Sequence, residues 1–361
     1  MTFSFSLSLN LLFLKEKMFA FFNSRTTRLI TSGEAGFQVY DVPPAAPSFR
    51  RVRNESSFGP ISFLAMEEKS QRAALVQSNH GTHMKNRVLI LFDMTKNEVL
   101  SEMHFESPIV GVRYNMARLM VIQERRLQVF DPVSLKPFPQ ITTLPNPRGL
   151  GALSNVVSSE QPCYIAWPHT NDTQTTGDAI IFECQTNKLM LVAQAHQNPL
   201  VALEFSATGT KLATCSTKGT IIRVYSIPDC QLLHTLRRGT KEADVHLLTF
   251  SPNADIVLVG SSSGTLHLFR CSDSDAGTLI ADKKGAGSYA KVTCKENSKF
   301  MCGLSADGAT LLVLTLPTAG GNVGPGSVTQ GPSSIIQAEV LLEQFTVGRD
   351  KVVKVQDFKL R

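Results

Sequence analysis

Two neighbouring arginines, Arg237 and Arg238, form a candidate anion-binding pair. They lie in the segment Leu236-Arg237-Arg238-Gly239-Thr240. A guanidinium is planar, stays charged at cellular pH and donates two parallel hydrogen bonds to a phosphate. If the pair lies on a β-strand, the two side chains project to opposite faces and serve separate pockets, because side chains alternate along a strand. The plainer alternative is that both are surface charges paired with Glu242 and Asp244.

Turns rich in serine, threonine and glycine flank this pair along the chain. The string CSTKGT precedes the arginines and the string GSSSGT follows them. Their hydroxyl and ammonium side chains are Ser216, Thr217, Lys218 and Thr220 before the pair, and Ser261, Ser262, Ser263 and Thr265 after it. Small hydroxyls and the exposed backbone amides of such turns are good phosphate partners. The combination favours phosphate binding over simple surface charge.

The sequence gives no support to metal, disulfide or catalytic chemistry. The seven cysteines are odd in number and never spaced as CxxC, so neither a disulfide framework nor a zinc site is expected, and a reducing compartment is favoured. His80 and His83 in NHGTH lack a third ligand nearby, and no metal site is predicted there. The sequence contains no nucleophile elbow, HExxH or P-loop. We therefore predict a protein that is not an enzyme and needs no cofactor.

The arginine pair lies in a chain that is dominated by short strand signals. Seven β-branched or aromatic runs recur at intervals of about 40 to 50 residues, the period of a β-propeller with four strands per blade. The runs cover residues 36–41, 88–93, 127–131, 179–183, 221–225, 266–269 and 310–316. Several end in an aromatic residue and Asp where a WD repeat has Trp-Asp. The sequence therefore predicts an all-β, seven-bladed β-propeller of divergent WD repeats.

One pair of these units aligns without a gap. VALEFSATGTKLATCSTKGTIIRV and HLLTFSPNADIVLVGSSSGTLHLF match at a fixed offset that places Phe205 on Phe250 and Gly219 on Gly264. The arginine pair lies between these two blades. A chain of 361 residues would usually fold into two or three domains. Because a single blade cannot bury both of its faces, the blades must stack on one another, so we expect one ring that includes most of the chain.

Composition and the two ends of the chain complete the prediction. Lys plus Arg number 36 against 30 Asp plus Glu, a surplus of +6 that is too small and too dispersed to indicate a nucleic-acid binder. The apolar stretch at 3–14 is too short to span a bilayer, and basic residues follow it, so residues 1–17 are expected to be an uncleaved extension outside the fold. Residues 18–361 are expected to form the propeller. A Gly/Pro/Ser-rich linker at 318–334 precedes two strands that close the last blade.

The motifs resemble those of one known family. Over residues 18–316, and most strongly from NPLVALEF through LRRGT to GSSSGTLHLF, the chain is similar to the PROPPINs, β-propellers that bind phosphoinositides and include the animal WIPI proteins and the yeast autophagy propellers. The family motif is Phe or Leu followed by Arg-Arg-Gly, and Leu236 resembles the branch that begins with Leu. The resemblance implies a cytoplasmic membrane effector in autophagosome formation. It would recruit partner proteins while bound peripherally to preautophagosomal and endosomal membranes, and it would bind no nucleic acid.

The resemblance also implies two headgroup sites for phosphatidylinositol 3-phosphate and phosphatidylinositol 3,5-bisphosphate. The first site would contain Arg237, His196, Ser216, Lys218 and Thr220, and the second Arg238, Ser262, Thr265, Ser288 and Lys291. As an imidazolium, His196 would add a donor, so binding is expected to strengthen as pH falls through about 6.5. A loop at 271–287 would insert into the membrane through Leu279 and Ile280, with Lys283 and Lys284 facing anionic lipid. The alternative is that the segment 271–287 is a plain surface loop that does not insert into the membrane.

The chain departs from the resembled family near its N-terminus, and the arginine pair also fits a second function. The resemblance implies the large autophagy lipid-transfer protein as a partner, yet the chain has Asn23-Ser24-Arg25 where the Leu-type branch tends to carry an acidic residue. This departure weighs against that contact and does not touch the lipid sites. The alternative function is a generic WD-like interaction scaffold whose arginine pair reads an acidic or phosphorylated peptide.

Overall fold

Every secondary-structure element of the described chain is a β-strand. The computed structural model describes residues 19–22, 28–33, 36–42, 50–67, 71–78, 86–138, 141–143, 145–156, 158, 160–170, 175–192, 195–272, 285–294, 299–305, 308–316, 341–347 and 352–359. Within these ranges there is no helix of the length and apolarity needed to cross a membrane. The strands form seven sheets, and each sheet is built mainly from four consecutive antiparallel strands, which we call blades 1 to 7.

The first four blades take up the N-terminal half of the chain. Blade 1 holds β1 (Phe19–Phe22), β2 (Arg28–Gly33), β3 (Gly36–Asp41) and β4 (Arg50–Glu55). Blade 2 holds β5 (Ile61–Glu67), β6 (Arg72–Gln77), β7 (Val88–Asp93) and β8 (Glu98–His104). Blade 3 holds β9 (Ile109–Tyr114), β10 (Leu119–Gln123), β11 (Arg126–Phe130) and β12 (Ile141–Thr142). Blade 4 holds β13 (Ala152–Leu153), β14 (Tyr164–Thr170), β15 (Thr175–Glu183) and β16 (Lys188–Val192).

The last three blades carry the arginine pair and its flanking turns. Blade 5 holds β17 (Leu200–Phe205), β18 (Lys211–Ser216), β19 (Ile221–Ser226) and β20 (Leu232–Arg237), and is joined by β24 (Ala286–Gly287). Blade 6 holds β21 (Val245–Phe250), β22 (Ile256–Ser261), β23 (Thr265–Arg270) and β25 (Ala290–Thr293). Blade 7 holds β26 (Lys299–Leu304), β27 (Thr310–Leu316), β28 (Leu341–Val347) and β29 (Val352–Lys359).

The hydrophobic core is divided into seven clusters, one between each pair of neighbouring blades. Between blades 5 and 6, for example, Ile222 and Leu236 pack with Phe250 and Val257. The ring closes where Phe22 and other residues of blade 1 pack with Leu312 and Leu314 of blade 7. Each blade therefore buries both of its faces only through its two neighbours.

This architecture confirms the predicted seven-bladed all-β propeller. Six of the seven runs picked out in the sequence are the third strands of their blades, namely β3, β7, β11, β15, β19 and β23, whereas the run at 310–316 is β27, the second strand of blade 7. The aligned glycines occupy equivalent turns, since Gly219 and Gly264 adopt positive φ angles of 63° and 72°. Beyond these turns the third strands are offset by one residue, because Leu212 pairs with Tyr225 whereas its aligned counterpart Val257 pairs with Phe269.

The aromatic-Asp strand ends have a structural role. Asp41 lies 3.6 Å from the guanidinium of Arg28, which is its partner across the β2–β3 pair. Asp93 lies 3.8 Å from Arg72 at the equivalent position of blade 2. Asp131 instead accepts hydrogen bonds from the backbone of its own turn. The Asp therefore fastens the end of the third strand, a task that does not require the Trp of a WD repeat.

Blade 5 has an additional strand that the sequence did not predict. The segment β24 pairs in parallel with β20, joining Leu236 to Ala286 and Arg237 to Gly287. Gly285, at φ +76°, precedes it, and a Cβ there would lie 3.2 Å from Thr235. The chain that returns from the blade 6 loop thus lies directly against the strand that carries Arg237.

Candidate phosphate-binding site

Arg237 is the last residue of β20, and its orientation follows from the strand register. It pairs with Ile221 of β19, while Leu236 pairs with Ile222. Leu236 and Ile222 belong to the core between blades 5 and 6. Because cross-strand partners share a face and neighbours alternate, Arg237 lies on the opposite face of blade 5, toward blade 4.

Arg238 follows the strand and turns toward blade 6. Its Nε donates to the carbonyl of Gly219 and its Nη2 to the carbonyl of Lys241, both at 2.5 Å. Its backbone N–H bonds to the carbonyl of Thr220. The residue is only 7% exposed, and this burial lowers the pKa of the guanidinium. The two arginines thus serve different faces, but Arg238 lies one residue beyond the strand and is fixed by backbone carbonyls.

Gly219 makes this arrangement possible. Its φ is +63°, and a Cβ built there would lie 2.0 Å from the carbonyl oxygen of Ala243. A side chain at this position would strain the backbone and displace the 239–244 loop. Gly239, next to the arginines, has nothing within 4 Å of such a Cβ.

His196 is buried between blades 4 and 5, on the side that Arg237 faces. Its Nε2 lies 3.0 Å from Thr214 Oγ1, and Arg223 Nη1 lies 3.4 Å from its Nδ1. Since a guanidinium only donates, Nδ1 accepts, and Nε2 therefore carries the proton and donates to Thr214. Burial, with the adjacent Arg223 charge, lowers the pKa of His196 to about 3. The expectation that His196 becomes an imidazolium near pH 6.5 is therefore wrong.

The turn at 216–220 connects the surroundings of the two arginines. Ser216 ends β18 and is buried, and its carbonyl accepts from the Gly219 N–H. Lys218 is exposed, and its carbonyl accepts from the Ala243 N–H. The Thr220 carbonyl holds the backbone of Arg238, as noted above. Backbone hydrogen bonds thus tie this turn to the arginine segment and its following loop.

On the blade 6 side, a chain of hydrogen bonds joins three side chains. Thr265 Oγ1 lies 3.0 Å from His267 Nε2, and His267 Nδ1 lies 3.2 Å from Ser288 Oγ. Lys291 pairs with His267 across the β23–β25 register. Burial lowers the pKa of His267 to about 4, and the charges of Lys291 and Arg238 act in the same direction. The neutral imidazole of His267 therefore lies between the hydroxyls of Thr265 and Ser288, and two cations, Lys291 and Arg238, are near it.

Ser262 is held differently from the other residues predicted for this side. Its Oγ accepts from the Asp244 N–H at 3.1 Å, and its own N–H donates to the Asp244 carbonyl at 2.9 Å. It is thus bonded to the loop that follows Arg238 and not to the Thr265–His267–Ser288 chain. Asp244 also pairs with Arg148 at 3.2 Å, a different partner from the arginines that the plainer alternative assigned to it.

Two residues of this region, Arg223 and His267, were missed by the sequence reasoning. The signal for His267 is its position two residues after Thr265, which puts both on one face of a strand. The signal for Arg223 is that it puts a charged residue inside a strand, whereas the residue at the same position of the sequence alignment in the next blade is the apolar Leu268. Both signals become specific only when the cross-strand partners are known.

Several predicted features lie outside the described residues. They are the loop residues Leu279, Ile280, Lys283 and Lys284, the patch Asn23-Ser24-Arg25, the histidines of NHGTH, and the linker at 318–334. In the part of the chain that the structure describes, no three His, Cys, Asp or Glu side chains are grouped to hold a metal ion. All seven cysteines are free thiols.

Comparisons with known proteins agree on one family. The PROPPIN family model matches residues 17–283. Autophagy-related protein 18 of Mycosarcoma maydis is 32% identical over 287 residues, which cover 74% of this chain and 61% of that protein. Autophagy-related protein 18 of Schizosaccharomyces pombe is 29% identical, with 66% of this chain and 65% of that protein covered. The alignments thus span less than two thirds of each of these relatives.

Solved structures give the same fold. Hsv2 of Kluyveromyces lactis superposes with a TM-score of 0.72 at 18% identity, covering 95% of this chain and 98% of that one. KlAtg21, solved with the coiled-coil of AgAtg16, superposes with a TM-score of 0.71 at 17% identity, covering 99% of this chain and 100% of that one. With the family model matching most of the sequence and the seven blades in place, the chain belongs to the PROPPIN family.

Proposed function

We propose that this protein binds the headgroups of phosphatidylinositol 3-phosphate and phosphatidylinositol 3,5-bisphosphate as a peripheral membrane protein and catalyses no reaction. The observation that carries the proposal is the placement of Arg237 and Arg238 at one end of β20 on opposite faces of blade 5. Arg237 is on the face of blade 5 that also carries Arg223 and its neutral partner His196, and the charge of Arg238 acts on the neutral His267. Such a set can donate several hydrogen bonds to a phosphate monoester without providing a nucleophile.

The first pocket would use Arg237 with Ser216, Lys218 and Thr220. Arg223 extends it along the same face of blade 5, because Thr214 is the cross-strand partner of Arg223 and contacts His196. His196 would act here as a neutral group that holds Arg223 and Thr214. Its contribution is therefore to position neighbouring donors and not to supply a positive charge.

The second pocket would use Arg238 with Thr265, Ser288, Lys291 and, through the 239–244 loop, Ser262. His267 links Thr265 to Ser288, so it orients two hydroxyls toward one ligand. The hydrogen bonds of Arg238 to two carbonyls fix its guanidinium before any ligand arrives. Such preorganisation reduces the entropy lost on binding.

Two pockets on one rim would act together on a membrane. A charge-assisted contact contributes about 1.5 to 3 kcal/mol, so one shallow pocket binds weakly, and a second pocket on the same surface multiplies the affinity through effective concentration. The blade 6 loop with Leu279, Ile280, Lys283 and Lys284 would then insert beside the pockets. The protein would thereby lie edge-on at preautophagosomal and endosomal membranes while it is otherwise cytoplasmic.

The proposal includes a role in autophagosome formation, which is supported by the names of this chain's relatives, autophagy-related protein 18 in several fungi. On the membrane, the chain would recruit partner proteins, as the KlAtg21 complex with a coiled-coil illustrates for that protein. The large autophagy lipid-transfer protein is one such candidate, and the sequence at Asn23-Ser24-Arg25 weighs against the family contact at that position.

Vesicle flotation across a phosphoinositide panel tests the proposal. We expect wild-type protein to float with vesicles containing either lipid, and Arg237→Thr to lose most of this binding. Arg50→Thr is the matched control, because Arg50 is an exposed arginine of blade 1 whose side chain is 79% accessible. Undiminished flotation of the Arg237 variant would refute the assignment. Competition by a phosphorylated peptide, without competition by the soluble inositol headgroup, would instead support the alternative scaffold function.

A further inference from the structure

The outer strands of the blades differ in how they protect their free edges. A free edge with apolar side chains invites another strand, and proteins usually guard it with charges, prolines or a covering segment. Here β4 carries three arginines, β8 two glutamates, β25 one lysine, and β29 two lysines and an aspartate. In blade 3 the fourth strand β12 has only two residues, and in blade 5 the edge of β20 is covered by β24.

Among the described outer strands of more than two residues, β16 of blade 4 has no charged residue or proline after its first residue, and no described strand covers its edge. Its sequence is Lys-Leu-Met-Leu-Val. Leu189 is 61% exposed and Leu191 47% exposed, and both lie on the same face two residues apart. Met190, between them, packs on the other face into the core between blades 4 and 5. The strand thus presents two large apolar side chains in strand alternation at an open edge.

The neighbouring blade leaves this face uncovered. Leu189 and Leu191 lie beside Phe182 and Ile180 of β15, which are themselves only partly buried against the core between blades 3 and 4. Because β12 is so short, the blade 3 wall is formed by Phe138 and Ile141, which are also partly buried. These six residues, Phe138, Ile141, Ile180, Phe182, Leu189 and Leu191, form what we call the blade 3–4 groove.

One end of the blade 3–4 groove is basic. The guanidinium of Arg118 lies 4.2 Å from the ring centroid of Phe138. Lys136 is exposed at this same end, whereas Lys188, the first residue of β16, lies on the face opposite to Leu189 and Leu191. Of the nearby acids, Asp131 accepts three hydrogen bonds from its own turn, and Glu183 lies on the other face of blade 4, paired across strands with Lys188. The end therefore complements an acidic partner.

The molecule itself shows how a blade edge accepts a further strand, because β24 extends blade 5 in this way. We propose that β16 is a docking edge for an extended acidic-apolar peptide segment of a partner protein. The segment adds to blade 4 as an outer strand, places alternate apolar side chains against Leu189 and Leu191, and directs carboxylates toward Arg118 and Lys136. The groove lies about 100° around the seven-blade ring from the boundary of blades 5 and 6. It is therefore open whether or not that rim is on a membrane.

Peptide selection provides the test. A phage-displayed library of random short peptides is selected on the full chain, and the enriched peptides are synthesised and measured by fluorescence anisotropy. We expect enriched peptides to alternate bulky apolar residues and to carry Asp or Glu. The double substitution L189K/L191K should weaken their binding at least about tenfold, because two apolar contacts are lost. The matched control V99K/L100K changes two exposed apolar residues of β8, which are 52% and 38% exposed, and should leave binding unchanged.

A second variant separates charge from packing and guards against misfolding. K136E reverses the charge of one exposed residue at the basic end and should weaken the acidic peptides about fivefold. Failure to enrich any peptide would overturn the proposal, as would equal affinity for wild type and L189K/L191K. Loss of vesicle flotation in L189K/L191K would show a membrane contact instead, and a wild-type dimer that this variant dissociates would show a second copy as the occupant. Unchanged flotation in these variants keeps the lipid proposal distinct from this one.

Discussion

Replacing Arg238 by Ala is expected to destabilise the protein, whereas replacing Arg237 by Ala should not. Arg238 is 7% exposed and donates to the carbonyls of Gly219 and Lys241 at 2.5 Å. Truncation removes both bonds and leaves two carbonyls in a poorly solvated place. Arg237, by contrast, ends its strand half-buried. The two neighbours thus differ in structural cost although both are proposed to bind phosphate.

The magnitude follows from the two bonds. A hydrogen bond from a charged donor is worth about 1.5 to 3 kcal/mol, and we take the lower value because water enters when the side chain is removed, so Arg238→Ala costs about 3 kcal/mol. For a propeller of this size the entropy of unfolding is about 0.7 kcal/mol per degree, which makes the expected fall in Tm about 4 °C. Loss of a half-exposed charge at 237 costs at most about 1 kcal/mol, or about 1 °C.

Differential scanning fluorimetry and limited proteolysis measure the two effects. In Arg238→Ala, the freed 239–244 loop should be cut by trypsin at Lys241 faster than in wild type. Arg238→Lys should fall between, because an ammonium lacks the planar fork that reaches both carbonyls. Equal Tm values for the two alanine variants, or unchanged cleavage at Lys241, would refute the reasoning. The Tm and proteolysis results also bear on the interpretation of a variant in which both arginines are replaced. If the 239–244 loop is released in that variant, part of its loss of vesicle binding comes from the loop and not from the missing phosphate contacts.

The remaining predictions concern pH and positioning. Vesicle binding should not strengthen between pH 7 and 5.5, because the pKa of His196 is about 3 in the fold. Since the unfolded chain takes up this proton below pH 6.5 and the folded one does not, His196 should contribute a loss of about 1.4 kcal/mol per pH unit from 6.5 toward 3 in urea unfolding. His267, with its pKa lowered to about 4, should add a similar loss down to that pH, so His196→Asn should remove about half of the slope between pH 6.5 and 4. Gly219→Ala should lower both Tm and flotation, while Gly239→Ala, whose Cβ meets nothing, should change neither. Ser288→Ala breaks the bond to His267 and should weaken flotation a few-fold, with Tm within about 1 °C of wild type.

Periodicity and strand alternation were sufficient to predict the scaffold. The spacing of third strands depends on local sequence, so runs such as 221–225 and 266–269 were recognisable without any knowledge of their neighbours. The alignment of Gly219 with Gly264 was equally local, because both turns need a positive φ. These features gave the number of blades and placed the arginine pair between blades 5 and 6.

The parts that sequence did not predict depend on contacts between distant segments. The pairing of β24 with β20 requires the chain to return from blade 6 to blade 5. The depressed pKa of His196 comes from burial and from Arg223, which is distant in sequence. Arg238 was expected on the strand beside Arg237, but it lies past the end of β20, where carbonyls of two separate turns hold it. Such effects appear only when the register of facing strands is known.

The closure of the ring has a consequence for biosynthesis. The cluster between blades 7 and 1 joins Phe22, Leu29 and Tyr40 to Leu312 and Leu314, and the described sheets exchange no strand at this seam. Since translation proceeds from blade 1, this apolar face leaves the ribosome early and finds its counterpart only when blade 7 has been made. Throughout that delay it is a surface for chaperones or for aggregation. Substitutions in this cluster should therefore reduce the yield of folded protein in cells more than they reduce the stability of the finished ring.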